Sequence, residues 1–268
     1  RPKKVIVTVY QVHSQGSSLE ISLFGLLSPF IDHYQCYSRD LERVGVPGRK
    51  ITNGLKVVLD LEAIARVPRD QNPVYAKLGL RHAYPILLCV GRLCREKNHE
   101  ANIRIMPELL KHRPDARLVI LGRGSHEHAL KKLAADLRVG HAVIFAGFDE
   151  NVEGYYSAAD VYLRPMTNEG TNLSMLNAMA YGVPVIGNVN RSSCDCLSGG
   201  LNGLKLDFTD AGGVVWAIQR LLDDAVLKET ITRQAREDVR EFDIDLWIRG
   251  FPDMYRRCLD AVKAGAGA

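Results

Sequence analysis

Two groups of residues in this chain have the types and spacing for chemistry on an anionic, hydroxylated ligand. In Thr167-Asn168-Glu169-Gly170-Thr171, a polar bend carries a carboxylate directly ahead of a glycine and a helix start. Gly170 lets another backbone or a ligand approach closely. The free N–H groups of Thr171, Asn172 and Leu173 would open the helix and form a ready phosphate site. A carboxylate beside a phosphate repels it, so Glu169 is expected to accept hydrogen bonds from a neighbouring hydroxylated group; an N-terminal acidic cap is the alternative. The second group is Arg92 and Lys97, two cations flanking a turn after an apolar run. Arg engages two phosphate oxygens at once and Lys acts as a mobile point charge, so together they suit a diphosphate. Taken alone, the pair also fits ordinary surface cations. Gly147-Phe148-Asp149 follows a further apolar run, and Phe148 there suits the core.

The elements that must position these groups are legible from periodicity. Leu173, Leu176, Met179 and Ala180 recur at the spacing of one helix face, and Gly182 and Pro184 end that helix. Strand-like runs are read at 86–90, 117–121, 142–145, 161–163, 183–186 and 204–208, with helical patterns at about 99–112, 126–138, 152–158, 171–181 and 211–222 between most of them. Strands alternating with helices predict a parallel sheet covered on both faces, a Rossmann-like, doubly wound α/β fold. Loops at the carboxyl ends of such strands are where ligands bind. Before this region, 4–9 and 31–38 read as strands, 19–27 and 39–45 as helical, and 56–84 as a linker with a short helix. Two charged helices follow at 210–222 and 224–240, and 243–262 carries an aromatic stripe through Trp247, Phe251, Met254, Tyr255, Cys258 and Leu259.

Five stretches, in this order, resemble family 4 of the retaining GT-B glycosyltransferases: VGRLCREKN at 90–98, LVILGRG at 118–124, VIFAG at 143–147, EGTNLSMLNAMAYGVPV at 169–185 and GLNGLKLD at 200–207. Together they cover roughly residues 84 to 222. The resemblance implies a C-terminal donor-binding lobe at 76–242, a partial N-terminal acceptor lobe and hinge at 1–75, and a helix at 243–268 returning to that lobe. The expected fold is therefore GT-B type, with one complete lobe and an incomplete second lobe. The implied activity is sugar transfer from a nucleoside-diphosphate sugar, UDP- or GDP-linked, with retention of configuration and without a cofactor or bound metal. Carried over by motif, Glu169 would orient the donor sugar and Arg92, Lys97 and the amides of Gly170, Thr171, Asn172 and Leu173 would hold the diphosphate. Position 177 would serve the ribose and Phe148 the nucleobase. The family's second glutamate is Asn177 here, which shortens the reach and removes a charge. The acceptor lobe's histidine aligns with His13, or equally with Tyr10, and a solvent-exposed loop histidine is the alternative; its glycine-rich loop is not recognisable.

Composition narrows the classes. With 268 residues, 46% hydrophobic and 25% charged, the chain has room for one large or two small domains. A net charge of +4 fits anionic small ligands or weak attraction to a membrane surface, and is too small to argue for nucleic acid. No apolar run approaches a membrane span and no signal peptide heads the sequence, so a cytoplasmic protein, with peripheral contact at the inner face of a membrane as an option, is expected. The six cysteines form no Cys-x2-Cys pair and read as reduced thiols; Cys194-Asp-Cys196 is too sparse for a metal site. His126-Glu-His128 would put its rings on different helix faces. Gly122-Arg123-Gly124 is too short for a dinucleotide fingerprint and reads as close backbone packing, which disfavours an oxidoreductase. Only one complete lobe fits, so a fragment, or a protein with further segments, is expected. The acceptor, whether glycan, lipid or small molecule, is not named by the sequence; a protein partner completing the missing lobe is one expectation. A non-catalytic nucleotide-sugar binding module is the competing class.

Overall fold

A computed structural model describes residues 6–9, 33–36, 51–53, 59–65, 72–166, 173–189, 196–246, 248–250, 252, 253, 256 and 260. The readings at 19–27 and 39–45 and the stripe residues Trp247, Phe251, Met254, Tyr255, Cys258 and Leu259 lie outside them. The chain divides into two compact units, 1–58 with 244–268, and 59–243. In the first unit, strands β1 (Ile6–Val9), β2 (His33–Cys36) and β3 (Ile51–Asn53) form a parallel sheet in that order.

The second unit is built on six parallel strands. These are β4 (Ile86–Val90), β5 (Arg117–Leu121), β6 (Val143–Gly147), β7 (Val161–Arg164), β8 (Val185–Asn188) and β9 (Leu204–Leu206), in the order β6-β5-β4-β7-β8-β9. Helices α1 (Leu61–Ala65) and α2 (Val74–Lys77) precede the sheet. Between and after the strands come α3 (His99–Arg104), α4 (Met106–His112), α5 (Glu127–Asp136), α6 (Val152–Ala158), α7 (Leu173–Ala180), α8 (Ala211–Asp223) and α9 (Ala225–Asp238). Ile86, Leu87, Leu88 and Cys89 are all buried, which is the unbroken apolar run that a central parallel strand requires when helices cover both faces. The core joins Leu87, Leu118, Ile120, Leu163 and Ile186 of the sheet to Ile103, Leu130, Val214, Ile218 and Ile231 of the helices.

Two local departures have simple causes. The helical pattern at 99–112 is two helices, because Pro107 has no N–H to give to the preceding turn. The strand read at 183–186 starts later, at Val185, because Val183 donates back to Ala178 and still belongs to the helix exit. Caps are where the sequence placed polar residues: Asn151 accepts from Gly154, Asp210 from Gly213 and Asp224 from Leu227. Among the described residues, no helix is long and apolar enough to cross a membrane.

The carboxyl ends of β4, β5 and β6 are laced together through backbone. Gly91 N–H donates to Leu121 O (3.0 Å), Leu93 N–H to Arg123 O (2.9 Å), and Gly122 N–H to Gly147 O (2.7 Å). A Cβ on Gly122 would stand 2.0 Å from Gly91 O, and one on Gly124 2.3 Å from Leu93 O. The Gly-Arg-Gly turn is thus the close packing expected of it. Gly122 also has φ +145°. Gly122→Ala should lower the unfolding free energy by roughly 2–3 kcal/mol, the cost of forcing an atom into filled space. Gly140→Ala, with open space around it, should stay within about 0.5 kcal/mol of the parent. Urea denaturation of both variants checks this, and equal midpoints would refute the close-approach account.

Candidate functional site

In the strand order, the sheet grows from β4 toward β6 on one side and from β4 through β7 toward β9 on the other. The gap between the loops leaving β4 and β7 is therefore the topological switch point, where α/β sheets bind ligands. The loop leaving β4 runs Gly91, Arg92, Leu93, Cys94 and then a single 3-10 turn, Arg95–Lys97. Leu93 is completely buried and pins the loop; burying a leucine contributes ~2 kcal/mol. With Leu93 inside, its neighbour Arg92 is left exposed. The carbon stem of Lys97 folds back to lie 3.7 to 3.8 Å from where a Gly91 Cβ would stand. Asn98 then takes the left-handed conformation (φ 49°, ψ 38°), which Asn tolerates better than most residues, and α3 begins.

The loop leaving β7 is drawn to the same place. Ser174, in the first turn of α7, donates through Oγ to Val90 O (3.2 Å) and accepts from the Tyr162 hydroxyl (2.8 Å). Val90 is the last residue of β4, two before Arg92, so the start of α7 rests on the strand end that launches the cationic loop. Asn98 Nδ2 donates to Pro165 O (3.3 Å), and buried Asn188, at the end of β8, donates to the same carbonyl (3.1 Å). Three loops thus meet at Pro165. Tyr162 is a poor acid here, because burial raises its pKa strongly. Its phenol remains the neutral donor that Ser174 needs.

The sequence-derived residues fall as follows. Arg92, Lys97 and Leu173 are on the two segments that converge at the switch point. Asn177 is half-buried one turn into α7, and its Nδ2 donates to Leu173 O (3.0 Å), which leaves Oδ1 as its remaining acceptor. Phe148 is 67% exposed, which removes the core alternative for it. Its loop is moored by Asp149, whose carboxylate takes hydrogen bonds from Lys77, Tyr155 Oη and Asn151 N and is held down to a pKa of about 2 by the Lys77 contact first. Glu169, Gly170, Thr171, Asn172 and His13, with its alternative Tyr10, lie outside the described residues. Among the described residues, no cluster of His, Cys, Asp or Glu has the makings of a metal site.

Sequence reasoning missed the residues that hold this arrangement. Ser174, Tyr162 and Asn188 carry no signal of their own. Asn98 does, since an Asn after a turn at a helix entrance suits a left-handed residue. His99, also missed, is buried, and its Nε2 lies 3.1 Å from Arg92 O. Arg123, overlooked between its two glycines, is exposed at the end of β5.

A parallel, doubly wound sheet with a cationic loop and a helix tip meeting at its switch point defines a Rossmann-like nucleotide-type lobe. Comparison with known proteins identifies it further. The family model for Glycosyl transferases group 1 matches residues 70–238, well over half of the chain, and the chain belongs to that family. It is 32% identical over 166 residues to an uncharacterized glycosyltransferase of Methanocaldococcus jannaschii, covering 61% of this chain and 42% of that protein. It is also 32% identical over 175 residues to a GDP-mannose-dependent alpha-(1-6)-phosphatidylinositol monomannoside mannosyltransferase of Mycolicibacterium smegmatis, covering 62% of this chain and 46% of the relative. The chain thus matches less than half the length of these relatives. Among solved structures, Anabaena HepE in complex with UDP superimposes with TM-score 0.79 at 16% identity, over 95% of this chain and 72% of HepE. At that identity the likeness establishes the fold, α/β of GT-B type.

His99 supplies a pH test of the loop's support. Burial, ahead of all other influences, lowers its pKa from 6.5 to about 4, so the folded ring is neutral and donates through Nε2 to Arg92 O. The unfolded chain takes up the proton near pH 6.5, and the folded one only near pH 4. The stability conferred is therefore whole above pH 6.5 and falls by ~1.4 kcal/mol per pH unit on the way down to about pH 4. Between pH 7 and pH 5 the parent protein should lose about 2 kcal/mol more than His99→Gln in urea unfolding. Parallel pH profiles for the two would contradict the buried neutral ring.

Proposed function

We propose that this chain is the donor-binding part of a retaining glycosyltransferase, moving a sugar from a nucleoside-diphosphate sugar to an acceptor hydroxyl. The observation that carries the reading is the meeting of the Arg92–Lys97 loop with the first turn of α7 at the switch point, through Ser174 and Val90. In such a transfer the bond from the anomeric carbon to the diphosphate oxygen breaks, and negative charge grows on the leaving diphosphate. Arg92, Lys97 and the amides of Gly170, Thr171, Asn172 and Leu173 would stabilise that charge; preorganised donors of this kind gain most from charge that develops in the transition state. Glu169 would accept hydrogen bonds from donor-sugar hydroxyls and orient the ring, and His13 would face the reacting sugar from the acceptor side. Phe148 would cover one face of the base and Asn177 would meet the ribose.

A UDP- or GDP-linked donor agrees with the relatives, since HepE was solved with UDP and the mycolicibacterial relative is GDP-mannose-dependent. Retention of configuration, with front-face attack assisted by the leaving phosphate, rests on the family resemblance. A non-catalytic nucleotide-sugar module is favoured by one observation: Asn177, already bonded to Leu173 O, offers the ribose one neutral acceptor. Transfer or donor hydrolysis by the full-length protein separates the two readings.

Arg92→Ala should weaken both UDP and GDP by 10- to 100-fold in calorimetric titration, about 1.5–3 kcal/mol for a charged hydrogen bond. Unaltered affinity for both nucleotides would eliminate the proposed diphosphate site. Asn177→Glu should tighten nucleotide binding by about 1–3 kcal/mol, because a carboxylate accepts from both ribose hydroxyls. No gain with UDP, GDP or dTDP would mean that position 177 does not meet the ribose.

A further inference from the structure

Along the carboxyl edge of the sheet, the loops of β7, β4, β5 and β6 follow one another, and neighbouring strands are about 4.8 Å apart. The α7 tip and the Arg92–Lys97 loop take the first two places, and Phe148 follows the last. The place between is held by Arg123. Its Nε and Nη2 lie 3.7 and 3.9 Å from where a Gly147 Cβ would stand, so the guanidinium rests over Gly147, directly before exposed Phe148. Gly147 makes this turn with φ +71°, a conformation that favours glycine. The Arg123 backbone cannot drift, since its carbonyl accepts from Leu93 N and the glycines on either side are packed against Gly91 and Leu93.

Among the described residues, no carboxylate pairs with Arg123. Glu127, the nearest acidic residue along the chain, pairs with Lys131, and Asp149, next after Phe148, is occupied by Lys77, Tyr155 and Asn151. A planar guanidinium thus rests at Gly147, one residue before the exposed Phe148, on a rigid turn of the same sheet edge as the α7 tip. Both are planar surfaces suited to a base. A guanidinium has only donors to offer, in a fork. The base edge that matches a fork of donors is one with two adjacent acceptors, which guanine presents at O6 and N7. Uracil separates its two carbonyls by an N–H, and adenine puts an amino donor beside N7.

We propose that Arg123 is a specificity-determining residue that reads the nucleobase of the donor and favours guanine over uracil and adenine. This rests on the nucleotide-sugar reading above and adds the choice of base to it. The test is calorimetric titration of the whole chain with GDP, UDP and ADP, for the parent, Arg123→Ala, Arg123→Lys and Arg92→Ala. The parent should bind GDP at least 10-fold more tightly than UDP or ADP. Arg123→Ala should lose 10-fold or more for GDP with little change for UDP, and Arg123→Lys, which keeps the charge without the fork, should lose the preference as well. Arg92→Ala should weaken all three alike and keep the ranking. If Arg123→Ala weakens every nucleotide equally, the residue serves phosphate and the proposal falls. It also falls if the parent prefers UDP or ADP, or if Arg123→Ala leaves GDP unchanged while Arg92→Ala does not. If Arg92→Ala has no effect, or no nucleotide binds, the underlying donor-site reading fails first and takes this inference with it.

Discussion

Everything near the switch point depends on one short relay of hydrogen bonds, from the Tyr162 hydroxyl to Ser174 Oγ and from Ser174 Oγ to Val90 O. Side chains of β7 and α7 and a main-chain carbonyl of β4 meet there, so two segments near in sequence and a third 84 residues from Ser174 have one relative position. Each bond contributes only about 1 kcal/mol net, but leaving any of these buried groups without its partner costs more than making the bond gains. Geometry is enforced by that asymmetry. Asn98 and Asn188 repeat the device at Pro165 O, and together they decide where the chain enters and leaves the loop before α7.

Charge is distributed to match. Two buried groups near the site are held neutral: burial lowers the His99 pKa to about 4 and raises the Cys89 thiol to about 12. Some surface cations of the unit are paired, as Lys131 is with Glu127, Lys132 with Asp136 and Arg113 with Asp223. Arg92 and Arg123, on adjoining loops of one sheet edge, have no such carboxylate among the described residues. An exposed cation without a paired carboxylate meets an anion without having to release a competing side chain. That is the electrostatic form expected of a lobe that grips a leaving diphosphate, and it agrees with membership of Glycosyl transferases group 1.

Much of the second unit was legible in advance. The strands at 86–90 and 117–121 and the helix at 152–158 coincide with the periodicity, because each is buried along its whole length or on one face. Where the pattern misled, local backbone chemistry overrode it. Pro107 divided one apolar stripe into two helices, and the Val183 N–H stayed with its helix. Phe148 could not be resolved between core and surface, since an aromatic residue after a strand suits either; its 67% exposure is a property of the neighbours it lacks.

The sequence by itself determined the alternation of elements, the motifs of the family and the types of residue at each loop, because propensity, periodicity and turn chemistry act over a few residues. Only the tertiary structure decided which loops are neighbours. Parallel pairing of Leu87 with Val161 places β4 beside β7, and pairing of Leu121 with Gly147 brings Arg123 to Gly147. Nothing local specifies those partners. Adjacency and the burial of His99 are sums over contacts from distant parts of the chain, and they come into being only when the sheet closes its order.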